Sequence, residues 1–129
     1  MSKIPDDLRY TEQHEYLKKT QDKSIVQVGI TDYAQGELGD VVYVDLPKPG
    51  ASFKQGDVFG TIEAVKAVSE LFAPAAGTVV EVNGGLEGDP ALVNREPYDA
   101  GWMIKLRLAN PGDLDTLLSS SAYKKHVGE

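Results

Sequence analysis

Lys66 stands in the run Gly60-Thr61-Ile62-Glu63-Ala64-Val65-Lys66-Ala67-Val68-Ser69-Glu70, where two β-favouring segments, Asp57 to Val65 and Ala67 to Ala73, meet at one cation. The pattern predicts a hairpin over about 57–73 with Lys66 at its turn. A side chain placed there is displayed, not packed. A solvated lysine is a protonated point charge, and nothing adjacent activates this one as a base or a Schiff-base former. Presentation without activation suits a lysine that another enzyme modifies. The remaining chemistry-bearing groups point elsewhere. The chain has no cysteine, which removes thiolate nucleophiles, disulfides and Cys-ligated zinc. His14 and His126 lack a third ligand at metal-binding spacing. Ser119-Ser120-Ser121 has no paired His and Asp, and reads as helix surface. Any redox chemistry must come from an attached group.

The elements that would hold Lys66 read as mainly β. His14 to Lys19 and Ser24 to Ile30 form a predicted hairpin around Thr20-Gln21-Asp22-Lys23. Thr31-Asp32 offers an N-cap for a short helix over Tyr33 to Leu38, and Gly39 offers its stop. Val41 to Leu46 is a β-branched run ended by Pro47-Lys48-Pro49-Gly50. Gly77 to Val82 predicts a further strand, followed by a loop over 83–90 ordered by a helical turn near Pro90 to Val93. Gly101 to Leu108 alternates apolar and basic residues from Trp102 onward, a strand with one wet face. Asn110 caps Pro111, and Leu114, Leu117, Leu118 and Ala122 follow at spacings of three and four, predicting a C-terminal helix over about 111–123. A weak echo, a proline turn before a Gly-led β run at Pro49 to Thr61 and again at Pro74 to Val82, is compatible with two related half-barrels.

Composition sets the outer limits. The 129 residues suit a single domain over 1–129. A formal net charge of -7 argues against nucleic-acid binding and against an anionic membrane surface. No stretch approaches the roughly 20 apolar residues of a spanning helix. The start Met1-Ser2-Lys3-Ile4-Pro5-Asp6-Asp7 lacks the apolar centre of a signal peptide. The expectation is a soluble intracellular protein, with the acidic start favouring bacterial cytoplasm over a mitochondrial matrix chain that has lost its transit peptide.

Several separated segments resemble the glycine cleavage system H proteins over Leu8 to Val127. They are Leu8-Arg9-Tyr10-Thr11 with His14-Glu15, Val28-Gly29-Ile30-Thr31-Asp32-Tyr33-Ala34, Leu38-Gly39-Asp40-Val41-Val42, the Lys66 region, Pro97-Tyr98, and Gly101-Trp102-Met103-Ile104-Lys105. Two departures are Tyr16, where the family usually has Trp, and Ala64, where Ser is common; both bear on partner contact. The resemblance implies a flattened β-barrel, the barrel-sandwich hybrid of biotinyl and lipoyl carriers, with short peripheral helices and a C-terminal helix. It implies a carrier and not an enzyme, with lipoate amide-linked to Lys66 on an arm of about 14 Å by summed bond lengths. Glu63 and Gly77, three before and eleven after Lys66, would be read by the lipoylating enzymes. Glu15 and Glu70 would line a cleft that holds the aminomethyl-loaded arm. The partners implied are a PLP-dependent glycine decarboxylase, a folate-dependent aminomethyltransferase and dihydrolipoamide dehydrogenase, served by a monomeric carrier. A lipoyl donor for other lipoate-dependent complexes shares every motif and stays open. A biotin carrier is the weaker rival, since Val65 and Ala67 stand where such carriers set methionine.

Overall fold

The computed structural model describes residues 2–129; Met1, which opens the acidic start, lies outside them. Two antiparallel sheets carry the chain. The first has the order β1 (Arg9–Tyr10), β2 (Glu15–Lys19), β3 (Ile25–Ile30), β9 (Ile104–Leu108), β8 (Gly77–Val82), β5 (Ser52–Phe53). The second is β4 (Val41–Asp45), β6 (Val58–Ala64) and β7 (Val68–Phe72), in that order. Alternation along each strand sends Leu17, Val26, Val28 and Leu106 from the first sheet, and Val44, Ile62 and Leu71 from the second, into one core. Burying Ile62 or Leu71 fully contributes about 1.5–3 kcal/mol each, so the lysine-bearing strands are anchored from below. A satellite cluster of Ile4, Leu8, Tyr10, Tyr16, Tyr98 and Tyr123 closes one end.

The helix between β3 and β4 forms as its caps predict. In α1 (Asp32–Leu38) the Thr31 hydroxyl accepts from Ala34 N–H at 3.2 Å, and Gly39, at φ 83°, donates its N–H to Gln35 and ends the helix.

Several expectations are corrected. The loop over 83–90 contains a helical turn of its own, α2 (Gly85–Gly88), pinned by the buried Leu86; a second turn is α3 (Leu92–Arg95). The C-terminal helix over 111–123 is two elements, a 3-10 helix over Pro111–Thr116 and α4 (Ser120–Val127). The break has a cause in tertiary pairing. Leu118 exchanges two backbone hydrogen bonds of 2.9 Å with Tyr10, which pulls it out of helical geometry, and Ser119 then caps α4 by accepting from Ala122 N–H. The strand read from Gly101 begins only at Ile104, because Gly101 N–H and Trp102 N–H close turns onto Glu96 and Asp99. The two-residue strands β1 and β5 have no signal of their own. The echoing segments meet in the first sheet, where β5 of one pairs with β8 of the other, while β6 continues into the second sheet. Tyr16 is fully buried, and its hydroxyl donates to the Pro97 carbonyl, so its difference from Trp bears on packing and not on a partner's surface.

Candidate functional site

Lys66 occupies the turn between β6 and β7. Ala64 N–H donates to Ala67 at 2.8 Å, closing the hairpin, and Val65 N–H donates to the Asp40 carbonyl at 2.9 Å, which ties the turn to the junction of α1 and β4. That junction is itself held from α3. The Asn94 side chain accepts from Val41 N–H at 2.9 Å and donates to the Gly39 carbonyl and to Gln35 Oε1, each at 2.9 Å. Asn94 therefore fixes the platform under the lysine, and no local pattern in the sequence marks it. Lys66 itself is exposed and makes none of the ion pairs found among the described residues. Its aliphatic stem lies over Gly39, where an added Cβ would stand 3.2 Å from Cδ and 3.3 Å from Cε. Gly39 is thus required by its positive φ, and its lack of a Cβ leaves the stem room to pass.

The tip is apolar around its one cation. Val65 is 72% and Val68 is 68% exposed, with Val42 and Tyr43 also exposed on β4. Glu63 is exposed in the middle of this surface, paired across the sheet with Tyr43 on one side and Val68 on the other. Gly77 sits apart from this group in the other sheet, buried, where an added Cβ would strike the Arg107 carbonyl and come within 2.9 Å of Leu106 Cγ. The close approach of β8 to β9 explains a glycine there without reference to Lys66.

Beside the hairpin a cavity of about 270 Å³ brings Glu15 and Glu70 together. Gln13, His14 and Glu15 form one wall, Tyr33, Ala34, Glu37 and Leu38 of α1 a second, and Ser69 to Leu71 of β7 a third, over a floor of Ile30 and Ile62. Glu15 is 2% exposed, and its carboxylate accepts from the Thr11 hydroxyl at 2.7 Å and from Phe72 N–H at 3.3 Å. Burial pushes its carboxyl up to about 7, and the hydrogen bonds from Thr11 and Phe72 only moderate the shift. No ion pair found among the described residues involves it. Glu70 is exposed at the rim. His14 holds φ 72°, a conformation that costs a non-glycine residue of order 1–3 kcal/mol. Its Nδ1 lies 2.8 Å from the Tyr123 hydroxyl, and burial followed by the nearby His126 pushes its imidazole below the usual histidine range. Glu37 and His14 were not expected in the cleft. The placement of α1 beside β7 brings Glu37 to it, and the turn before β2 brings His14. A larger open groove of about 760 Å³ between β4 and β8 touches none of Lys66, Glu15 or Glu70, so size does not select the site.

The site thus combines a displayed lysine with a dry acid in a cleft beside it. The comparisons agree with that geometry. The family model described as glycine cleavage H-protein matches residues 8–129. The glycine cleavage system H protein of Opitutus terrae is 55% identical over 128 residues, covering 99% of this chain and all of that one. That of Chlorobium limicola is 52% identical, with 98% of each chain covered. The crystal structure of a glycine cleavage system H protein from Mycobacterium marinum superposes with a TM-score of 0.88 at 38% identity, covering 98% of this chain and all of that one, so the two sheets are a barrel-sandwich hybrid. A match over nearly the whole length, with the lysine hairpin and its cleft in place, establishes that the chain belongs to the glycine cleavage H-protein family.

Proposed function

We propose that this protein is the lipoyl carrier of a glycine cleavage system, bearing lipoate on Lys66 and shuttling the aminomethyl group of glycine from a PLP-dependent decarboxylase to a folate-dependent aminomethyltransferase before reoxidation by dihydrolipoamide dehydrogenase. The residues present fit the group. The stem of Lys66 lies over Gly39, next to Leu38 of the cleft wall, and an arm of about 14 Å covers the roughly 13 Å that four residues span at most between Lys66 and Glu70. When bound, lipoate supplies a dithiolane that takes up the aminomethyl group and two electrons; the hard chemistry belongs to the cofactor.

The chain's own residues tether, present and protect. Val65, Val68, Val42 and Tyr43 give partners an apolar surface around the lysine, with Glu63 as the charged mark the lipoylating enzyme reads. The cleft then accepts the cargo. Glu15, ionised by an incoming cation, and Glu70 at the rim hold the protonated amine by charge-assisted hydrogen bonds, while Ile30, Ile62 and Leu71 exclude water. Tethering keeps the reactive sulfur at high local concentration for each partner in turn.

The observation that carries this reading is Glu15, a carboxyl buried without a cation in the wall of a cleft beside the hairpin that displays Lys66. Intact mass of the protein isolated from its source should show one added lipoyl group, mapped to the Lys66 peptide, and the modified protein should support glycine decarboxylation in a reconstituted system. A chain without the modification, or with biotin in its place, overturns the proposal.

A further inference from the structure

The second sheet has the order β4-β6-β7, so β7 is an edge strand, and its Ser69 to Leu71 line the cleft, with Val68 just outside it toward Lys66. The hydrogen bond from Ala64 to Ala67 fixes the phase of the hairpin ladder. Hydrogen-bonded pairs then recur every second residue, at Ile62 with Ser69 and at Gly60 with Leu71. Val68, paired with Glu63, and Glu70, paired with Thr61, occupy the alternate positions, where backbone N–H and C=O point away from β6. The next outward amide, Phe72 N–H, obeys the same phase and donates to the Glu15 carboxylate across the cleft. The edge is therefore partnered at its far end and open at its near end. The Glu70 carbonyl has only a long 3.4 Å contact from the Ser69 hydroxyl, and no backbone hydrogen bond from outside the hairpin reaches Val68 among the described residues. Open backbone groups on a sheet edge are a template for an added extended segment.

One extended segment has its root two residues away. Resting on the carrier reading, we propose that the open edge of β7 is the docking rail of the lipoyl arm, with the outward N–H of Val68 donating to the carbonyl of the lipoyl-lysine amide. The reach agrees. The carbonyl oxygen of that amide lies about 7–8 Å from Lys66 Cα along an extended side chain. A partner segment runs about 4.8 Å to the side of a strand and the Val68 amide about 5–6 Å along it, which together make the same distance. The trans amide presents its N–H and C=O in opposite directions, so only one can meet β7. Pairing its carbonyl with Val68 turns its N–H toward α1, where Glu37 supplies an acceptor on the opposite wall. Val68 thus acts through its backbone, and its exposed side chain is free to serve the surface of the tip.

The test uses the whole chain, lipoylated with lipoate isotopically labelled at its carboxyl carbon and checked by peptide mass for modification at Lys66. Amide exchange at Val68 should slow by roughly tenfold relative to the unmodified protein, the effect of about one added hydrogen bond, while Ser69 stays unchanged. A scalar coupling should link the Val68 nitrogen to the labelled carbonyl. Val68→Ala, which keeps the N–H and removes the side chain, should preserve both signals. Unchanged exchange at Val68 with lipoyl present on Lys66 overturns the rail and leaves the carrier reading standing, and loss of both signals in Val68→Ala also overturns it. Failure of Lys66 to accept lipoyl at all removes the carrier reading and the rail with it.

Discussion

The lysine turn and the cleft beside it hold charge in opposite ways. Lys66 stands in water at a turn supported through the backbone, where a charge costs nothing and a long side chain can be extended and handed to another protein. Glu15 is dry, held by Thr11 and Phe72, in a place where ionisation is expensive unless a cation arrives. The display end is defined by what it leaves unpacked, and the receiving end by what it keeps from solvent. Each end can therefore be disabled without the other.

The largest effect is expected at the display end. Lys66→Arg should abolish lipoylation and support of glycine decarboxylation while moving the melting temperature by less than about 2 °C, since an exposed turn residue buries little. Lipoyl mass on another lysine peptide would break the comparison at its root. Gly77→Ala should do the reverse. Its Cβ collides with the β9 backbone, so a loss of about 3 kcal/mol in folding stability is expected from denaturant titration, and any slowing of lipoylation should follow that loss. Slowed lipoylation of a stably folded variant would instead show the recognition role expected of Gly77.

At the receiving end, Glu15→Gln with Glu70→Gln should speed loss of ammonia and formaldehyde from the loaded protein by about fivefold to a hundredfold, equivalent to about 1–3 kcal/mol of retained binding. The single variants sharpen this. The effect of Glu15→Gln should persist in high salt because the group is buried, whereas that of the exposed Glu70→Gln should fade. Equal salt dependence would mean that Glu15 is wet when the arm is loaded.

Glu15 also gives the unmodified chain a pH signature. Its folded carboxyl titrates near 7, above the unfolded value near 4.3, so the folded state holds the proton longer. Its contribution is fully present below the unfolded value, is lost as pH rises through the window to about 7, and is flat above it. The loss is of order 3 kcal/mol at most. Glu15→Gln should flatten that fall and be more stable than the parent at pH 8, measured by urea unfolding across the range. On the proposed role of an ionised Glu15 in holding the amine, retention of the loaded arm should run the other way and weaken as pH falls.

The smaller effects concern supports. Asn94→Ala leaves Val41 N–H and the Gly39 carbonyl without their side-chain partner and should cost about 1–3 kcal/mol, with lipoylation slowed through a looser turn. Glu63→Ala should leave stability within about 0.5 kcal/mol and slow lipoylation alone, as a solvated recognition mark would.

Much of this molecule was determined by the sequence itself. The hairpin around Lys66, the capped helix from Thr31 to Gly39 and the strands from Glu15 to Ile30 follow from local patterns, because β-branched runs, N-cap hydroxyls and glycine stops act over a few residues. Lys66 was legible for the same reason, since a turn between two such runs needs no distant partner. The tertiary structure decided the rest. It split the C-terminal segment at Leu118 by pairing that residue with Tyr10, 108 positions away, a contact that helical periodicity cannot register. It placed Asn94 under the lysine turn and brought His14 and Glu37 to the cleft. It also made Glu15 a buried acid and Glu70 an exposed one, although both were read alike. Burial is set by which elements close over a side chain, and that depends on contacts between residues far apart in the chain.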